Sequence, residues 1–298
     1  MAFRLDLTEA LGDEARRAVA EQLEEAIAGV EEGAGDAVHS ARKGVKKARA
    51  VLRLVRPALP RNLYRGEQRA LRDAGRLLAG TRDAEVMRAT AKALAEHGAG
   101  RLPAAGFEGL HAALAELEPA GLADGDDAVD DPVGTAIEEL GDVLARVPGW
   151  PLDGCGLGDL RAGAARIYSD GVVAWEAARG TDDVELLHDW RKRVKDLWYQ
   201  HRLLRDAWPV VLTAFSDAAD ALGELLGDEH DLAVLAERLD GLELPPAADV
   251  EVLAELIGER RAQLRAEAFA LGERLNAERP AAYERRLTIY LRAARRAG

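Results

Sequence analysis

The chain carries one segment twice, and that duplication limits what it can fold into. HSARKGVKKARAVLRLVRPALP, His39 to Pro60, aligns without a gap with HDWRKRVKDLWYQHRLLRDAWP, His188 to Pro209. His39 falls on His188, Arg42 on Arg191, Lys43 on Lys192, Lys46 on Lys195, Arg53 on Arg202 and Pro60 on Pro209. Further along, LLAGTRDAEVM from Leu77 matches LLGDEHDLAVL from Leu225, setting Arg82 against His230 and Asp83 against Asp231. The displacement is 149 residues in the first block and 148 in the second, about half of the 298-residue chain. A repeat of this length implies two copies of one structural unit.

That unit is helical. Aromatics make up only 5% of the residues, and Ala, Leu, Arg, Glu and Asp dominate, a mix that favours helix over sheet. Capping residues open many of the apolar-periodic runs, and Pro or Gly closes them. The runs predict helices at 8–32, 37–56, 61–81, 83–97, 107–117 and 134–147, then at 158–179, 182–206, 210–227, 229–240, 249–278 and 281–296. No strand pattern stands out, so the expected class is all-α. The Pro/Gly stretch VPGWPLDGCGLG, from Val147, reads as a linker. It divides the chain into a half at 1–147, a connection at 148–158 and a half at 159–298.

The repeated segment is amphipathic in an unusual way. With 100° per residue, His39, Arg42, Lys43, Lys46, Arg49 and Arg53 fall on one side of a helix. Val45, Ala48, Leu52 and Val55 fall on the other. The second copy repeats the wheel with His188, Arg191, Lys192, Lys195 and Arg202. Ordinary solvated faces mix signs, because like charges at helical spacing repel. Residues 37–66 hold nine Lys/Arg and no Asp/Glu, in a chain of net charge -13. Five of the six lysines lie in the two copies. Such a stripe calls for an anionic partner: Arg offers a planar fork and Lys a compact charge to phosphate oxygens. Spread over some 20 Å of helix, it suits an extended polyanion better than a single phosphate. Few aromatics accompany the first stripe, which disfavours nucleic acid, whose unpaired bases need stacking partners. Trp190, Trp198 and Tyr199 flank the second and are expected to fill core.

Other basic clusters are less telling. Arg65, Arg69, Arg72 and Arg76 share a face of the following helix, but their counterparts are Thr213, Asp217, Asp220 and Glu224. Arg72 and Arg76 join the candidate set as neighbours of the first stripe. The C-terminal helix carries Arg285, Arg286, Arg292, Arg295 and Arg296.

Several chemistries are excluded or weak. The two ExxH matches, Glu108 to His111 and Glu185 to His188, lack the further ligands of a di-metal carboxylate site, and His188 opens a cationic stripe. There is no HExxH and no phosphate-binding P-loop signature. The acidic stretch containing Asp124, Asp126, Asp127, Asp130 and Asp131 has no EF-hand spacing. Cys155 is the only cysteine, in a Gly-rich stretch. No metal, cofactor or catalytic residue is expected. No signal peptide or membrane span is visible, so the expected location is cytoplasmic.

The paired His-x-x-Arg-Lys-x-x-Lys motifs at His39 and His188, each followed about 42 residues later by TRDAEVM or EHDLAVL, resemble the CHAD family, the conserved histidine α-helical domain. The resemblance spans nearly the whole chain. It implies two helical bundles of about four main helices each, related by internal pseudo-twofold symmetry, with basic helices lining a shared groove. It also implies binding of inorganic polyphosphate and association with polyphosphate granules and their proteins. By motif position, it assigns contact with the polyanion to His39, Arg42, Lys43, Lys46 and Arg53, to His188, Arg191, Lys192, Lys195 and Arg202, and to Arg82 and His230. Asp83 and Asp231 then orient those cations. The histidines sit where the helix dipole disfavours protonation, so each is either a neutral donor to phosphate or a structural group. A polyphosphate-processing enzyme and a nucleic-acid-binding helical protein stand as alternatives.

Overall fold

A computed structural model describes residues 3–33, 36–78, 83–116 and 131–297. Among these, eleven α-helices and three short 3-10 turns form the molecule, with no strand. The helices are α1 (Leu11–Glu31), α2 (Ala37–Val55), α3 (Arg61–Leu77), α4 (Asp83–His97), α5 (Ala104–Glu116), α6 (Pro132–Arg146), α7 (Leu157–Ala178), α8 (Val184–Leu203), α9 (Pro209–Leu239), α10 (Val250–Leu275) and α11 (Pro280–Ala297). None of the described helices is long and apolar enough to cross a membrane.

The duplication extends beyond the motifs. In chain order α1 corresponds to α7, α2 to α8, α3 with α4 to α9, α5 to α10 and α6 to α11. Pro132, which opens α6, falls on Pro280, which opens α11, at the same displacement of 148. Local chemistry sets the starts. Asp183 accepts from the Glu185 and Leu186 amides, Asp249 from those of Glu251 and Val252, and Asp131 from that of Gly134 with Pro132 beside it.

Two departures from the sequence pattern have clear causes. The first helix starts at Leu11 rather than at 8, because Phe3, Leu5 and Leu7 are buried in a preceding extended segment. The Leu5 amide donates to the Leu203 carbonyl at 2.9 Å, tying that segment to the end of α8. The runs predicted at 210–227 and 229–240 are one 31-residue helix, α9. Gly227, which reads as a helix end, is buried inside it because a side chain from α8 crosses there.

The two halves of the sequence share their cores. The largest apolar cluster joins Leu23, Val51, Leu71 and Leu140 to Leu160, Tyr168, Leu203 and Tyr283. A second places Leu94 and Leu110 of the first half against Leu235 and Leu256 of the second. A third, around Trp190, Leu222 and Ala268, is built from the second half alone. Each such side chain contributes roughly 1.5–3 kcal/mol by leaving water. Helix α7 lies so close to α2 that a β-carbon on Gly163 would sit 1.8 Å from the Leu54 carbonyl oxygen.

Candidate functional site

Helices α2 and α8, the two carriers of the repeated motif, cross each other. Arg53 Nη1 pairs with Asp196 Oδ1 at 3.0 Å. On the other side of the crossing Lys47 lies close to Arg202, and both approach the Phe3 ring, at 5.6 and 5.8 Å. In the repeat register Arg53 is the equivalent of Arg202, and Lys47 of Asp196. The two contacts are therefore reciprocal, one attractive and one repulsive. Lys47 is held below its ordinary pKa mainly by burial, with Arg202 and Lys43 adding to the shift. Ala50 and Tyr199 lie midway between these two contacts along their helices.

At the first histidine end, α2 and α3 enclose a cavity of about 160 Å³ lined by Arg42, Lys46, Arg49, Arg72 and Arg76, with Val45 and Gly75 at its base. Five cations and no carboxylate form this lining. Arg49 is the deepest. Its Nε donates to Gln68 Oε1 at 3.1 Å, and the Gln68 amide donates to the Arg49 carbonyl at 2.9 Å. Burial pushes the Arg49 guanidinium down to about 10, and Arg53 and Arg72 reinforce the shift. A carboxylate just outside the lining, Asp73, reaches Arg72 at 2.9 Å and Arg76 at 3.6 Å. His39 is half-buried in the first turn of α2, and Lys43 is exposed.

The equivalent positions of the second half carry different chemistry. Arg42 and Lys46 are matched by Arg191 and Lys195, but Arg49 is matched by Trp198, Arg72 by Asp220 and Arg76 by Glu224. Five cations become two cations, two acids and an indole. Lys195 Nζ bonds Asp220 Oδ1 at 2.9 Å and lies 4.8 Å from the Trp198 ring centre. Arg202 stacks over the same ring at 4.9 Å. Lys192 bonds Asp189 at 2.9 Å. Arg191 and Lys195 lie against Gly227 and Gly223 of α9, where a β-carbon would come within 2.8 Å of the Arg191 guanidinium and 2.7 Å of Lys195 Cε. Both lysines of the second stripe are thus paired with acids, Lys192 with Asp189 of its own helix and Lys195 with Asp220 of α9, which the helical wheel of α8 cannot show.

His188 and His230, from the two separate motifs, meet as stacked rings 4.5 Å apart. Burial holds His188 below its ordinary pKa, with Lys192, His230 and Arg191 adding to it. Next to His230, Glu229 is fully buried and accepts from Arg261 Nε at 2.9 Å and Arg265 Nη1 at 3.1 Å of α10. This buried ion cluster has no forerunner in the sequence reading, which assigned the orienting role to Asp231. Arg82 lies outside the described residues. Among the described residues no three His, Cys, Asp or Glu side chains gather as a metal site would require. Cys155 is half-buried, and burial pushes its thiol up to about 11.

Comparison with family models matches the CHAD domain over residues 13–240. The chain belongs to the CHAD family. The match runs from α1 to the end of α9 and so includes both histidine motifs and both ends of the α2–α8 crossing. Among solved structures, this CHAD protein is similar to PptA from Streptomyces chartreusis, with a TM-score of 0.58 and 15% sequence identity. That likeness covers 90% of this chain and 99% of the other and is one of fold. No curated protein matches the chain.

Proposed function

We propose that this CHAD protein binds inorganic polyphosphate without processing it, and that the α2–α3 cavity is the principal contact. The observation that carries this reading is a concave lining of five cations from two helices, containing no carboxylate. Arg42, Lys46, Arg49, Arg72 and Arg76 offer forked and point-charge donors to non-bridging phosphate oxygens. The partly desolvated Arg49 gains most from an anion, because its charge is the least well hydrated. A processing enzyme would need carboxylates placed to hold Mg²⁺ beside the phosphates, and none lines this cavity. Nor does any aromatic line it on which a base could stack. Family membership supports the same ligand, and a cytoplasmic location on polyphosphate granules, alongside granule proteins, follows as part of the proposal.

Titration with defined-length polyphosphate against RNA, ATP and orthophosphate, at matched ionic strength, tests the reading. Polyphosphate is expected to bind most tightly and to weaken steeply with salt, as counterions are displaced. RNA binding as tightly would favour the nucleic-acid alternative, and phosphate released from the polymer in Mg²⁺ would favour the enzyme.

A further inference from the structure

A second cationic cavity, of about 150 Å³, lies one step along α2 from the first. It is lined by Arg53 and Arg56 of α2 and its following turn, Tyr64 of α3, Arg166 and Asp170 of α7, and Arg193 and Asp196 of α8. Four guanidiniums face two carboxylates. Asp196 is nearly buried and already serves two of them, Arg53 at 3.0 Å and Arg193 at 3.1 Å. Asp170 reaches Arg166 only at 3.7 Å. Arg56 lies over the Tyr64 ring at 4.9 Å. Each guanidinium has five N–H donors, so the four together offer more donors than two carboxylates can accept.

The two cavities are electrically continuous. Arg49, in the wall of the first, is influenced by Arg72 on one side and by Arg53, Asp196 and Tyr64 on the other. Arg42, Lys46, Arg49, Arg53 and Arg56 recur every three or four residues, so they form one ridge of about 21 Å at helical rise. The way towards the second histidine motif passes Lys195, ion-paired with Asp220, and Arg202, set on Trp198.

Resting on the polyphosphate reading above, we infer that a long chain leaves the first cavity along Arg53 and Arg56 and ends on Arg193 and Arg166, rather than following the second histidine motif. The chain then touches both sequence halves through α7 and the flank of α8, and its path includes three arginines, Arg56, Arg166 and Arg193, outside the repeated stripe. A short oligomer fills the first cavity alone, whereas a long one uses both.

The experiment compares tripolyphosphate with long-chain polyphosphate on the full chain and on Arg166→Gln and Arg166→Glu. Arg166 is half exposed and its ionic contact is long, so the fold is expected to survive, which a melting curve verifies. The expected result is a loss of about fivefold or more for the long polymer in the reversed variant, a smaller loss in Arg166→Gln, and tripolyphosphate unchanged within about twofold. Long-chain affinity equal to that of the unaltered protein, or equal losses for both ligands, overturns the track while leaving the first cavity standing. If the unaltered protein binds neither ligand, the underlying function fails, and the track with it.

Discussion

Lys195 Nζ sits 2.9 Å from Asp220 Oδ1, and Asp220 occupies the repeat position that Arg72 holds in the first half. A duplicated cationic site has been kept on one side and neutralised on the other. Asp220→Asn is therefore expected to release Lys195 and add a cation to the second half. Polyphosphate affinity should rise a few-fold and the salt dependence steepen by about one unit of slope. Titration at three or four ionic strengths checks it; an unchanged slope would show that Lys195 is remote from the ligand.

Glu229 and the arginines 261 and 265 form a buried ionic cluster that holds α10 against α9. Removing only the acid leaves two guanidiniums with little access to water. Glu229→Ala is expected to cost about 3 kcal/mol in denaturant unfolding. Glu229→Gln, which keeps one acceptor, should cost less.

His201 is fully buried, with its Nε2 3.1 Å from the Tyr283 hydroxyl. Burial pushes its pKa down to about 3, and Arg286 adds to this. The unfolded chain protonates near 6.5 while the folded one does not. Stability from this group is therefore complete above pH 6.5 and declines as pH falls from there towards 3, by at most about 1.4 kcal/mol per pH unit. Melting temperatures between pH 7.5 and 5 should fall, and His201→Gln should flatten that part of the profile.

Two buried glycines are expected to respond in opposite ways to alanine. At Gly163 the new methyl meets the Leu54 carbonyl, part of the backbone of another helix, so α7 must move and about 1–3 kcal/mol is lost. At Gly227 it meets the far end of Arg191, which can swing aside, while alanine adds about 1 kcal/mol of helix propensity. Chemical unfolding of the two variants should therefore separate clearly.

Much of this was legible in the sequence because amphipathic periodicity fixes helices locally. The stripe on α2 and its apolar back emerged as the wheel describes, with Val45 and Leu52 buried and Lys46 exposed. What periodicity on a single helix cannot give is the neighbour. Asp220 lies 25 residues from Lys195 and on α9, so its ion pair depends on how α8 and α9 pack. Arg193 lies off the α8 stripe and so drew no notice on the wheel; the crossing with α2 sets it beside Asp196, the partner of Arg53. Gly227 was read as a helix end because the wheel knows nothing of the Arg191 guanidinium lying on it. Trp198, expected in the core, is partly buried and serves as the face on which Lys195 and Arg202 rest.

The central claim is that the first histidine motif, and not the second, anchors the polyanion. The most direct measurement is the long-chain polyphosphate affinity of Lys46→Glu/Arg72→Glu beside that of Lys192→Glu, with folding verified by thermal melting. The first variant is expected to lose at least about tenfold, and the second to stay within about threefold of the unaltered protein. Equal losses in the two variants, or full affinity in the first, would contradict it.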